Sequence, residues 1–219
     1  MMQLDWLNSM HMFNKEYIYA LSFATIVLLV LFSMGFVVRN KYKYAKFLGI
    51  VLIIFKALDI SYIIFKKWSI FTNFSLVSTV VLISCIIFLI TNNRMCYNLS
   101  YHFMYVILLI LLFIPIKCDN LLHLFLITTN YFLIILAILY GSYFLRQKVV
   151  FTGLVCSIIS LFILISFAYV GNKGLGTNMF FIQNSIVPYF NTLSQHIYLA
   201  ILMILNLLGI CFMYVIKKN

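Results

Sequence analysis

Seven stretches of sixteen or more mostly apolar residues leave this chain little choice of fold: 18 to 38, 45 to 65, 70 to 91, 101 to 116, 121 to 145, 149 to 171 and 195 to 216. A hydrocarbon layer of about 30 Å takes about 20 helical residues to cross. Backbone N–H and C=O groups find no water there, so a spanning segment bonds them within a helix or within a closed barrel. The runs are rich in Leu, Ile, Phe and Val and do not alternate, and the whole chain holds 2 Pro and 8 Gly, which argues against a porin-type barrel. Composition agrees, since 9% of the 219 residues are charged, against about 25% in a water-soluble domain. The expected fold is all-α, a polytopic membrane helix bundle of seven transmembrane helices. It is one domain over residues 17–219, preceded by a short interfacial segment at 1–16 and carrying an outer loop at 172–194.

Lys and Arg are retained in cytoplasmic loops during insertion, and their placement sets the expected orientation. With the N-terminus outside, Arg39, Lys41, Lys43, Lys46, Arg94, Arg146, Lys148, Lys217 and Lys218 fall inside, while Lys15, Lys66, Lys67, Lys117 and Lys173 fall outside. Nine against five favours N-out, C-in. The formal charge of +11 then reflects cytoplasmic helix ends, each cation attracting anionic headgroups by about 1 kcal/mol, rather than a nucleic-acid groove. Neither the mixed charges of residues 1–16 nor the long apolar run after them fits a cleavable signal. Leu4, Leu7, Met10 and Phe13 recur every three residues beside Trp6, as in a helix lying in the interface, with an unstructured leader as the alternative. The five Cys are an odd number without a C-x-x-C pair, and are read as small hydrophobes rather than a disulfide framework.

Charge inside a span is expensive, and Lys56 and Asp59 are the only two residues that carry it deep within one. Three positions apart on a helix, they share a face and can pair. Two readings are open: an ion relay or headgroup contact, or a mutually neutralising pair that fixes packing. Span three carries Asn73, Ser75, Ser78 and Thr79, and span five carries Thr128, Thr129 and Asn130. These are interhelical glue or the lining of a polar cavity in the outer half of the bundle. The outer loop holds Gly174, Gly176 and Asn178 in a Gly-rich stretch followed by an aromatic one, and is expected to be a structured lid or a seal. His11, His123 and His196 lie on the outer side without metal-ligand spacing, so neither a metal nor a cofactor is expected. No G-x-S-x-G, Walker or Rossmann motif is present.

The segment Leu175-Gly176-Thr177-Asn178-Met179-Phe180-Phe181-Ile182 resembles the L-G-T-N-Y-x-F-L segment that follows the sixth span in the YwaF-like family of bacterial integral membrane proteins. Asp59 with Tyr62, Asn93 with Arg94, and Pro115 with Asp119 fall where that family has similar residues, so the resemblance covers most of the chain from span two onward. It implies a lipid-facing bundle with a polar cavity in a bacterial plasma membrane. Animal relatives are proposed phospholipid acyltransferases whose acyl-accepting Cys lies in a P-L-H-L-C motif on span three. On this alignment Ser78 takes the place of that Cys, Leu76 that of the motif His, and Asn130 that of a span-five His. A Ser hydroxyl needs an adjacent base, and neither Leu76 nor Asn130 is one.

The expected function is accordingly that of a noncatalytic membrane protein binding lipid or an amphipathic partner in an outward-facing polar cavity. Its candidate binding residues are Lys56, Asp59, Asn73, Asn130, Gly174, Gly176 and Asn178. The alternatives are a membrane acyltransferase using Ser78, and a transport or assembly subunit in which Lys56 and Asp59 meet an ion or another membrane protein.

Overall fold

The structure, a computed structural model, describes residues 15–65, 76–113, 121–175 and 195–218. They form eight helices: α1 Lys15–Val37, α2 Lys41–Phe65, α3 Leu76–Thr91, α4 Arg94–His102, α5 Met104–Phe113, α6 Leu121–Tyr143, α7 Phe151–Leu175 and α8 Gln195–Lys218. No strand occurs among the described residues. Helices α4 and α5 run on through Phe103, whose backbone at φ −90°, ψ 1° leaves the helical range while its N–H still bonds Leu99 O at 3.1 Å. Six helical rods are long and apolar enough to cross a membrane: α1, α2, the α4–α5 rod, α6, α7 and α8. The apolar helix at Val77–Thr91 is shorter over the residues described. The chain is therefore a multi-pass, membrane-embedded helical protein.

Helix α6 is the axis, packing against α1, α2, α3, α4 and α5. α3 and the α4–α5 rod form a middle layer, beyond which α7 and α8 pack on each other and on α4. Each buried face has helical spacing. On α2 it comprises Tyr44, Ala45, Leu48, Gly49, Leu52, Asp59 and Ile63, steps of three and four with one gap at the turn that holds Phe55 and Lys56. On α1 it shrinks to Ala20, Ala24 and Gly35, small residues that let its backbone lie close to α6. The large apolar residues left exposed, such as Val37, Phe65, Val170 and Phe212, form the surface that hydrocarbon covers.

The structure moves two expected boundaries. The fourth span starts at Arg94, not at 101, because Asn93 caps it by accepting from Met95 N at 2.8 Å and Cys96 N at 3.3 Å. Residues 94–100 look too polar for a span, yet Tyr97, Asn98 and Ser100 are buried with their hydrogen bonds made inside the bundle. The sixth span runs on to Leu175, so Gly174 lies in a helix end rather than in the loop expected from 172. A Cβ at Gly174 would meet nothing within 4 Å. Asn73, Gly176, Asn178, the rest of the 176–194 stretch and the 1–14 segment lie outside the described residues.

Candidate functional site

Helix α2 brings Asp59 to its buried face six residues before Phe65, about 9 Å from that end by helical rise. The carboxylate is only 4% exposed, a position tolerated when the charge is matched. Lys56, one turn earlier, matches it with Nζ 2.7 Å from Oδ2, so the pairing expected from the three-residue spacing is made. The second oxygen, Oδ1, faces His123 Nε2 of α6 across 3.6 Å, within ion-pair reach. Tyr62, one turn beyond Asp59, stacks its ring on His123 at 4.7 Å between centroids and 22° between planes. α2 and α6 thus enclose a carboxylate between one cation and one imidazole.

Deeper along the same interface, Asn130 lies nine residues from the start of α6, about 14 Å in. Its Nδ2 donates to Phe55 O at 3.4 Å, one turn before Asp59, which fixes the amide against the charged stretch of α2. Its Oδ1 is buried without a hydrogen-bond partner, as is Thr129 Oγ1. Thr128, by contrast, satisfies itself by donating to Leu124 O at 2.6 Å, the back-bonding available to a helical hydroxyl. Ser78 of α3 shares a hydrogen bond with the side chain of Tyr131, which follows Asn130 and lies within electrostatic reach of Asp59. Tyr17 of α1 closes the cluster's edge by donating to Leu111 O.

Of the residues singled out in the sequence, Lys56, Asp59 and Asn130 therefore meet at the α2–α6 interface, and Ser78 joins them through Tyr131. Gly174 is at the same end of the bundle but on α7, with no neighbour close to its α-carbon. The histidine of this group, His123, enters because it starts α6 beside the end of α2. Among the described residues no group of three or more His, Cys, Asp or Glu could hold a metal ion.

A second polar cluster, at the opposite end, was not singled out in the sequence. Asn98 of α4 accepts from Val150 N at 2.9 Å, at the start of α7, and donates to Arg94 O at 2.7 Å. His102, one turn on, is fully buried with Nδ1 2.9 Å from Ser157 Oγ of α7. The Ser157 hydroxyl also lies 2.9 Å from Gly153 O, and His102 Nε2 is buried without a hydrogen-bond partner. Tyr97 and Ser142 share a bond of 2.7 Å, and Lys217 of α8 also donates to Ser142. The signal was the run Asn93, Tyr97, Asn98, Tyr101, His102, a polar face at helical spacing on a stretch too polar to be read as a span.

The turns at this second end are clasped together. Gln147 Nε2 donates to Asn92 Oδ1 at 2.8 Å, and Arg94 Nε to Lys148 O at 3.1 Å. Lys41 donates to the terminal carbonyls of α1 at Gly35 and Phe36, where a cation meets the negative end of the helix. Searches against protein-family models, curated proteins and solved structures each return no match.

Proposed function

We propose that this membrane protein is a noncatalytic binder that takes lipid, or the polar end of an amphipathic partner, at the α2–α3–α6 cluster. In this reading it crosses a bacterial plasma membrane seven times, N-out and C-in, with the cluster opening outward, and it is of the YwaF-like type. One observation carries the binding reading: Asn130 and Thr129 are buried polar side chains with an atom left unbonded, beside the Lys56–Asp59–His123 group on two packed helices near one end of the bundle. An unpaired buried polar atom costs about 1–3 kcal/mol, which a ligand's hydrogen would recover.

The partner of Ser78 supports the noncatalytic half. A phenol is protonated at neutral pH and does not serve as the general base that a Ser nucleophile requires. The experiment is lipid retention: the protein is reconstituted in nanodiscs of mixed lipid, extracted and weighed intact by native mass spectrometry. The wild type should keep at least one lipid that Asn130→Leu loses about tenfold. Equal loss from both proteins would overturn the proposal. Covalent acyl labelling of the wild type that disappears in Ser78→Ala would replace it with acyl transfer.

A further inference from the structure

Two helices close at the basic end on a residue in the left-handed region, and they fill that position differently. Helix α3 is followed by Asn92 at φ 57°, with Asn92 N donating to Phe88 O at 2.7 Å, and Asn is tolerated there. Beyond α6 the position holds Arg146 at φ 51°, with Gln147 N donating back to Gly141 O at 3.0 Å, a six-residue closure whose usual occupant is Gly. An Arg bears the Cβ penalty of that backbone. Its side chain is exposed and makes no bond to a described residue.

Two more cations stand beside it. Arg94 Nε donates to Lys148 O at 3.1 Å and Gln147 Nε2 to Asn92 Oδ1 at 2.8 Å, so the two turns are locked together. Arg146 is two residues from Lys148, at most about 8 Å between α-carbons. The terminal nitrogens of Arg94 keep their N–H donors, none of which bonds a described residue, and the exposed Lys148 ammonium is equally open. No described carboxylate offsets the three charges, since Glu16 and Asp59 both belong to the opposite end. From Phe151, three residues beyond Lys148, an apolar ridge of Phe151, Val155 and Ile159 descends α7 at four-residue steps, 64%, 40% and 53% exposed.

We propose that the surface formed by Arg94, Arg146 and Lys148 docks a phospholipid whose head carries two negative charges, with its phosphate oxygens on the guanidinium groups and its chains along the Phe151 ridge. A guanidinium fork matches a pair of phosphate oxygens, and basic surfaces between helix ends at headgroup depth take polyanionic lipids. Because the cations run directly into an apolar ridge, the surface fits a lipid better than a soluble acidic partner. It lies at the opposite end from the α2–α6 cluster and does not depend on the binding reading given for that cluster.

The test places the full-length protein in phosphatidylcholine nanodiscs doped, at equal total charge, with cardiolipin or with phosphatidylglycerol, and reads retained lipid by native mass spectrometry. The wild type should keep cardiolipin in preference to phosphatidylglycerol. Arg146→Gln combined with Lys148→Gln should lower cardiolipin retention about tenfold. Arg39→Gln combined with Lys43→Gln removes the same charge from exposed positions of the same end, and should change retention less than about twofold. Arg146→Gly separates docking from folding: chemical unfolding should find it at least as stable as the wild type, because Gly suits φ 51°, yet its cardiolipin retention should fall. Equal losses from the two double variants would mean diffuse attraction alone and overturn the proposal, as would undiminished retention by Arg146→Gly. Displacement of cardiolipin by inorganic pyrophosphate at matched concentration would assign the surface to a soluble phosphate and overturn the lipid.

Discussion

Gly153 and Gly174 are both glycines of α7, and their surroundings give them opposite roles. A Cβ at Gly153 would stand 2.5 Å from Asn98 Oδ1 and 2.6 Å from Asn98 Cβ. Gly153→Ala therefore has to displace the amide that receives Val150 N, and should cost about 1–3 kcal/mol as a crowded core site. Gly174→Ala meets no atom and removes a flexible residue from a helix, so it should be neutral or stabilise by up to about 1 kcal/mol. Unfolding curves of the two variants in one detergent compare them directly, and equal effects would contradict the packing described. The sequence does not show that Gly153 is the crowded one, because the difference is made by Asn98, a residue of another helix. For the same reason His123 could be named from sequence only as an outer-side histidine, while its approach to Asp59 depends on how α2 and α6 dock.

At the scale of a single helix, the Lys56–Asp59 pair makes a prediction with a direction. Asp59 is 4% exposed, whereas the Lys56 side chain keeps 25% of its surface open, so the lysine has room to move and the carboxylate does not. Lys56→Met strands the carboxylate and should cost about 3–5 kcal/mol. Asp59→Leu leaves an ammonium on a long stem that can swing outward, and should cost less. The double variant should be more stable than Lys56→Met alone, which a double-mutant cycle on chemical unfolding will read. If the cycle shows no coupling, the 2.7 Å contact contributes nothing to the fold. The pair was legible in the sequence because i, i+3 spacing follows from helix geometry alone. Six rods were legible too, since hydrocarbon demands long apolar runs. The α4 half of one rod was not, because Asn98 and His102 are acceptable in a span only when partners about fifty residues away supply their hydrogen bonds.

For the whole molecule, the distribution of charge sets the way it sits in a bilayer. Arg39, Lys41, Lys43, Lys46, Arg94, Arg146, Lys148, Lys217 and Lys218 gather at one end, and the four acids Asp5, Glu16, Asp59 and Asp119 all fall elsewhere in the chain. In a variant whose native cysteines are replaced, Arg146→Cys should resist an impermeant thiol reagent in intact cells and react after lysis, while Lys15→Cys should react in both. The reverse pattern would invert the proposed orientation. Both positions are exposed, so failure to label reports the membrane side rather than burial.

The bonds between α4 and α7 also govern how the protein is made. Asn98 and His102 depend on Val150 and Ser157, residues synthesised 52 and 55 positions later. At about 5–20 residues per second, α4 reaches the membrane several seconds before those atoms exist. During that interval its polar face has to be sheltered at the insertion machinery. A chain terminated before Val150 lacks both partners and should be cleared faster than the full-length protein, which a pulse-chase comparison will read.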